Sequence, residues 1–167
     1  EGGTMTTIIG DHCAFLANSH VGHDSKVGNH VILSNNVMIA GHVTLGDYVI
    51  CGGGAAVIQF ARVGAHGFVG GLTGLENDLI PYGMAMGNRA HLAGLNLIGL
   101  RRRGFSREAI HDVRRAYRLL FAAEGTLKER VEDVAGEFAE HPQVHEILDF
   151  IRDGGERAIC TPVDKSA

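Results

Sequence analysis

The chain has 167 residues, a formal net charge of −4 with histidine neutral, and three cysteines. The acidic balance argues against non-specific nucleic-acid binding. No apolar run approaches the roughly 20 residues of a membrane span, and no signal peptide opens the chain.

Residues 1–83 are glycine-rich and β-branched. They carry an apolar residue at every sixth position, twelve times in succession: Ile9, Phe15, Val21, Val27, Leu33, Ile39, Leu45, Cys51, Val57, Val63, Val69 and Leu75. The next position is often glycine, as at Gly22, Gly28, Gly46 and Gly64. Four places after the apolar residue the side chain is small or β-branched, as at Val31, Val37, Val43 and Ala55. A fixed six-residue period predicts a left-handed parallel β-helix built from hexapeptide repeats. Each hexad supplies one short strand and one corner, and three hexads close a triangular coil. Glycine is expected to ease the tight corner. Residues 18 apart then lie one above another, separated by roughly 4.8 Å.

Glu1-Gly2-Gly3-Thr4 reads as the middle of a coil, which leads us to expect further coils or a cap before it. The coils are expected to run to about Leu79, with Pro81-Tyr82-Gly83 ending the solenoid because proline supplies no ladder donor. Residues 84–167 are expected to form a C-terminal α-helical domain. A first helix is placed near 91–103 and stopped by Gly104. Ser106 is the N-cap of a second, with Ile110, Val113, Tyr117, Leu120 and Phe121 on one stripe. Thr126 and Glu129 form a capping box for a third, and Pro142 sits in the first turn of a fourth. The last dozen residues read as loosely ordered. Cys13 and Cys51 fall on interior repeat positions and Cys160 on the tail, a reduced, cytoplasmic pattern with no disulfide framework and no metal spacing.

The hexads starting at 3, 21, 39, 57 and 75 differ by 18 and therefore stack on one face. That face brings together His23, Asp24, Gly41, His42 and Gln59, with His20 at the corner leading into it. A functional reading is a general-base site. An imidazole takes a proton from a hydroxyl. A carboxylate such as Asp24, or another neighbour, fixes its tautomer. A glycine amide such as that of Gly41 faces a developing oxyanion. The bland reading is that solvent-facing corners simply carry His, Asn and Asp, and the chain has ten histidines. His12, His30, His111, His141 and His145 are read as surface histidines and His66 as structural or interfacial. A metal site using His20 and His23 is the competing chemistry. The run Arg101-Arg102-Arg103, extended by Arg107, Arg114, Arg115 and Arg118, suits either a solvated helix end or an anion such as a nucleotide diphosphate or an acidic carrier protein.

The run NSHVGHDSKVGNHVILSNNVMIAGHVTLGDYVICGG, the later GAHGFVGG, the loop MGNRAHLAGLN and the segment LRRRGFSREAI together resemble the UDP-N-acetylglucosamine O-acyltransferases of lipid A biosynthesis. The likeness covers about residues 1–153. It implies a homotrimer with active sites between subunits. It implies transfer of an (R)-3-hydroxyacyl chain from acyl carrier protein to the glucosamine 3-hydroxyl. It implies no cofactor beyond the phosphopantetheine borne by that carrier, no metal, and a cytoplasmic enzyme. By the same resemblance His23 is the general base, Asp24 its partner and Gly41 the oxyanion-hole amide. His20, His42 and Gln59 contact substrate, Asn96 and Arg103 hold the uridine diphosphate, and Gly71 lines the far end of the acyl groove. Ile58 stands where the family usually places histidine, and Ile98 where relatives often place an acidic residue. Two other readings stand beside this one: a related N-acyltransferase using an amino sugar nucleotide, and an inactive trimeric scaffold that binds the carrier protein.

Overall fold

The computed structural model describes residues 3–155 and 157–163. Twelve two-residue strands follow one another at the sixfold period. The first coil holds β1 (Ile8–Ile9), β2 (Ala14–Phe15) and β3 (His20–Val21), and the second β4 (Lys26–Val27), β5 (Ile32–Leu33) and β6 (Met38–Ile39). The third holds β7 (Thr44–Leu45), β8 (Ile50–Cys51) and β9 (Ala56–Val57), and the fourth β10 (Arg62–Val63), β11 (Phe68–Val69) and β12 (Gly74–Leu75). Pairing is parallel, and each residue meets the one 18 places on, as in Lys26↔Thr44 and Ile39↔Val57. The result is the expected parallel β-helix with three sheets along its sides.

Two inward positions per hexad build the core. The strand residues Leu33, Ile39 and Cys51 and the corner residues Val31, Val37, Val43, Val49 and Ala55 are all fully buried. Burial is lower in the first coil, where Ile9 and Phe15 keep 47% and 38% of their surface. β1, β2 and β3 pair on one side alone among the described residues.

The corner chemistry differs from the expectation. The glycine after each strand does not supply a left-handed backbone: Gly22, Gly28, Gly46 and Gly64 are absent from the positive-φ residues. A Cβ on Gly22 would fall 2.5 Å from the backbone of Ala40 and Gly41, and one on Gly46 2.6 Å from Ala65 N. Glycine is needed there for close approach of successive coils. The left-handed residue comes two places later and is usually not glycine. His12, Asn18, Asp24, His30, Asn36, His42, Tyr48, Phe60, His66 and Leu72 all have φ between 56° and 67°. Asn, Asp and His tolerate this region better than most side chains.

The solenoid also runs further than expected. Pro81 does not end it, because it occupies the corner position whose N–H makes no ladder bond. Tyr82 then repeats the corner, its N–H donating to Ala65 O at 2.9 Å with φ +64°. The step has shortened to 16 residues, as in Val63↔Leu79 and Phe68↔Met84. β13 (Gly83–Met86) pairs parallel with β11, and β14 (His91–Leu95) folds back antiparallel on β13. The helix expected from residue 91 therefore starts later, at α1 (Leu97–Arg102).

The chain divides into two compact units, 1–96 with 156–167, and 97–155. Residues 83–95 thus belong with the solenoid, not with the helices that were expected from residue 84. So does the described tail, which is anchored instead of loose. Cys160 N donates to Asp78 O at 2.7 Å, Leu92 N donates to Thr161 O at 2.8 Å, and Cys160 is buried. Asp78, fully buried, accepts from Arg62 N and from the Arg62 and Arg157 guanidinium groups at 2.7 to 3.0 Å.

In the second unit α1 is followed by α2 (Arg107–Leu120), α3 (Leu127–Glu137) and α4 (Pro142–Asp153). Ser106 Oγ caps α2 through Ala109 N, and Thr126 with Glu129 forms the capping box of α3. Ile110, Val113, Leu120, Val131, Val134, Phe138, Val144, Ile147 and Leu148 fill the space between them. Arg130 donates to the carbonyls of Leu120, Glu124 and Gly125 and so closes the turn between α2 and α3. Among the described residues, no helix is long and apolar enough to cross a membrane.

Candidate active site

The predicted cluster forms at the corner that leads from the sheet of β3, β6, β9 and β12 into the sheet of β1, β4, β7 and β10, not on a flat face. At this corner Asp24, His42 and Phe60 occupy successive left-handed positions. His23, Gly41 and Gln59 each precede one of them. His42 N donates to His23 O at 2.9 Å and Phe60 N to Gly41 O at 3.2 Å, so the backbone locks the three coils in register.

His23 reaches into solvent, its side chain 70% exposed, while the Asp24 side chain is 9% exposed. Asp24 Oδ2 lies 2.8 Å from His23 Nδ1, and its other oxygen accepts from Thr4 Oγ1 at 3.2 Å. His42 Nε2 lies 4.0 Å from the same Oδ2. The hydrogen bond from His23 holds the Asp24 carboxyl below the usual carboxylate range of 3.8; burial opposes this, and the Met5 backbone, Thr4 and His42 reinforce it. With Nδ1 facing the carboxylate, Nε2 is the nitrogen left to take a proton. The His42 ring meets the His23 ring edge-on at 5.0 Å and stacks on Phe60 at 4.7 Å.

Gly41 completes the arrangement. A Cβ built on it would fall 2.7 Å from His23 Nε2. The backbone of Gly41 therefore lies against the Nε2 edge of the imidazole, and a side chain there would displace the ring. Its N–H donates to nothing among the described residues. This follows from the corner design. The corresponding amides of Asp11 and Asn29 are capped by the side chains of Asn29 and Asp47 one coil on, at 2.8 and 2.7 Å.

His20 stands apart, on β3, at one end of an apolar groove along the sheet face. Met38, Ala56, Ile58, Gly74 and Glu76 line that groove with it. Gln59 is exposed on the corner beside Phe60, and Ile58, 50% exposed, presents hydrocarbon where a histidine was expected. Gly71 is exposed on a different corner, between β11 and β12, and does not line the groove. Asn96 is buried and donates to His66 O at 3.0 Å, on a third corner. Arg103 lies in the second unit just beyond α1, and Ile98 within α1 is exposed. Of the residues expected from the sequence, the structure thus gathers His23, Asp24, Gly41 and His42, with Gln59 adjacent.

Thr4 and Phe60 are members that sequence reasoning missed. Phe60 could have been found, since it stands 18 places after His42. Thr4 could not, because it stands 20 places before Asp24, outside the repeat. The same period links His12, His30, Tyr48 and His66, whose rings stack at 5.0, 4.6 and 4.9 Å and continue onto Tyr82 at 5.6 Å. Three of the histidines read singly from the sequence thus form one column.

Comparisons with known proteins bear on the family of the chain. Residues 78–160 match the family described as UDP-N-acetylglucosamine O-acyltransferase, domain 2, and residues 6–41 match the bacterial transferase hexapeptide family of six repeats. An acyl-[acyl-carrier-protein]–UDP-N-acetylglucosamine O-acyltransferase of Methylobacterium radiotolerans is 74% identical over 97% of this chain and 60% of its own length. The enzyme of the same name from Rhizobium etli is 54% identical over 93% and 57%. A crystal structure of the Arabidopsis UDP-N-acetylglucosamine acyltransferase superposes with a TM-score of 0.87 at 34% identity, over 93% of this chain and 56% of that one. This chain thus spans about three fifths of the length of the curated relatives it matches. By its repeats, its helical segment and these relatives, the chain belongs to the UDP-N-acetylglucosamine O-acyltransferase family of hexapeptide-repeat proteins.

Proposed function

We propose that this chain carries the catalytic corner of an acyl-[acyl-carrier-protein]–UDP-N-acetylglucosamine O-acyltransferase, which moves an (R)-3-hydroxyacyl chain onto the glucosamine 3-hydroxyl in the first step of lipid A biosynthesis. The observation that carries this reading is the His23–Asp24 hydrogen bond at 2.8 Å with the Gly41 backbone against the same imidazole.

The chemistry follows from those groups. His23 Nε2 takes the proton of the sugar hydroxyl as its oxygen attacks the thioester carbonyl. Asp24 holds the imidazole in the required tautomer and stabilises the imidazolium that forms. The carbonyl oxygen gains negative charge and accepts a hydrogen bond from Gly41 N–H. Collapse of the tetrahedral adduct breaks the carbon–sulfur bond, and the imidazolium returns its proton to the departing thiolate. Transfer is direct. The Cys51 thiol is buried and pushed up to about 12 by desolvation, which makes it a poor nucleophile.

The acyl donor enters with its phosphopantetheine on the carrier protein, so the enzyme brings no cofactor of its own. His20, His42 and Gln59 contact substrate, while Asn96 and Arg103 hold the nucleotide and Gly71 borders the acyl chain. Since Asn96, Gly71 and His23 occupy three different corners of the same prism, these roles are met together in a homotrimer with its sites between subunits. The enzyme acts in the cytoplasm.

The experiment is to incubate purified protein with UDP-N-acetylglucosamine and 3-hydroxyacyl carrier protein and to detect the product by mass. Formation of the 3-O-acyl sugar nucleotide is the expected result. Turnover confined to a 3-amino sugar nucleotide would replace the hydroxyl acceptor by an amine. No turnover with either would leave a carrier-binding scaffold.

A further inference from the structure

The proton-accepting cluster has a second property that base catalysis does not require. His23, Asp24 and His42 each offer one ligand atom, and these atoms all lie within 4.8 Å of one another. Two imidazole nitrogens and one carboxylate oxygen form a donor set for a first-row transition ion of the zinc class; magnesium and calcium prefer oxygen alone. Tetrahedral zinc, with bonds of about 2.0 to 2.2 Å, spaces its ligand atoms by roughly 3.3 to 3.6 Å. The distances to Asp24 Oδ2, 2.8 Å from His23 and 4.0 Å from His42, bracket that spacing. A small rotation of the exposed His23 ring lengthens the first, and a shift of the Asp24 carboxylate by about half an ångström toward His42 shortens the second to the spacing of a tetrahedral site.

The surroundings suit an ion. The His42 ring is held in place by stacking on Phe60 at 4.7 Å. A cavity opens beside Asp24 and His42, lined also by Gly3, Thr4, Lys26 and Thr44. It leaves the remaining coordination position to water. Lys26 is exposed on β4, and its flexible stem lets the ammonium turn outward.

We infer that His23, Asp24 and His42 form an inhibitory site for a divalent transition-metal ion, with zinc as the representative. The inhibitory half of this inference rests on the acyltransferase reading; the binding half does not. An ion on His23 Nε2 blocks the nitrogen that takes the hydroxyl proton. An ion on Nδ1 displaces the Asp24 hydrogen bond and places a positive charge beside the imidazole, which disfavours its protonation. Metal and substrate proton are therefore alternative occupants of one base, and a chelator restores the reaction.

The test is a calorimetric titration of the purified, metal-free protein with zinc chloride at neutral pH, followed by transfer assays with and without zinc. The prediction is one zinc per chain. His42→Ala and Asp24→Asn should each weaken it by at least the roughly 10- to 100-fold typical of losing even an outer-shell partner. His30→Ala, in the stacked column of another corner, should leave the affinity unchanged. Circular dichroism of each variant establishes that it is folded. Zinc binding that is equal in wild type, His42→Ala and Asp24→Asn would overturn the site and assign the ion to other histidines. Binding as predicted with transfer unaffected by zinc would overturn the inhibition. Binding as predicted in a protein without transfer activity would uphold the site while removing the acyltransferase reading.

Discussion

With ten histidines in the chain, chance placement is the default explanation for any one of them, and the corner geometry separates them. His12, His30, His42 and His66 sit at left-handed corner positions, where histidine is a conformationally tolerated choice. His23 does not: it precedes the left-handed residue and has no such reason to be there. Its Nδ1 faces the half-buried Asp24 carboxylate and its Nε2 edge faces a glycine backbone. Two predictions belong at this scale. Gly41→Ala should fold normally, since Gly41 is outside the left-handed region and its Cβ would meet the far end of a side chain, not backbone. The imidazole must then shift, so transfer should fall by roughly 100-fold or more, the scale of losing general-base function, with the melting temperature nearly unchanged. A full rate in that variant would show that His23 need not occupy this place. The second concerns Asp24. Its carboxyl should titrate below 3.8 by nuclear magnetic resonance, and His23→Ala should raise the midpoint, because the His23 hydrogen bond is the largest cause of the shift. A depressed carboxylate stabilises the fold above its unfolded pKa and loses that contribution as pH falls through the folded one. The pair's contribution should therefore disappear on the acid side of 3.8. An unmoved midpoint in the variant would assign the shift to Thr4 and the Met5 backbone.

Elements show how far the repeat alone could be read. The period of six predicts every strand from β1 to β12, because two inward residues per hexad leave no other register that buries them. It also stacks Asp24, His42 and Phe60, and His12, His30, Tyr48 and His66, at spacings of 18. It fails where the step shortens to 16, at Leu79 and beyond. There Pro81 looked like a terminator, since the sequence pattern does not reveal that this corner amide is outside the ladder. His91–Leu95 reads as helix in the sequence because it has no alternation to reveal a strand; only its partner β13 makes it β14. The tail was read as loose because its anchors, Asp78 and Leu92, are long-range. At this scale Tyr48→Ala should remove two stacked contacts, with His30 at 4.6 Å and His66 at 4.9 Å. The cost should be about 1 to 3 kcal/mol, at about 0.5 to 1.5 for each pair, and Tyr48→Phe should retain the part that comes from the two ring stacks. Equal melting temperatures for wild type and Tyr48→Ala would show that the column contributes nothing. Asp78→Ala should also destabilise, by about 1.5 to 3 kcal/mol, the worth of a hydrogen bond to a charged group, because it removes the buried carboxylate that accepts from Arg62 and Arg157; an unchanged melting temperature would show that this anchor contributes nothing.

At the scale of the whole molecule, the chain combines a prism of stacked coils with a helical unit, and the His23, Asp24, Gly41 and His42 cluster lies at one corner of the prism. Asn96 and Gly71 lie on the other two corners. One stack of coils cannot bring its own corners together, which is the physical reason that the proposed grouping of these residues with His23 comes from family resemblance alone. Sedimentation of the purified protein should accordingly give a trimer, and a monomer that retains transfer would separate those residues from the site. The central claim is that His23 is the base. The direct measurement is the initial rate of acyl transfer to UDP-N-acetylglucosamine by wild type and His23→Ala, purified side by side and matched in circular dichroism. The account predicts a loss of roughly 100- to 10,000-fold in the variant. A variant rate within a few-fold of wild type would contradict it.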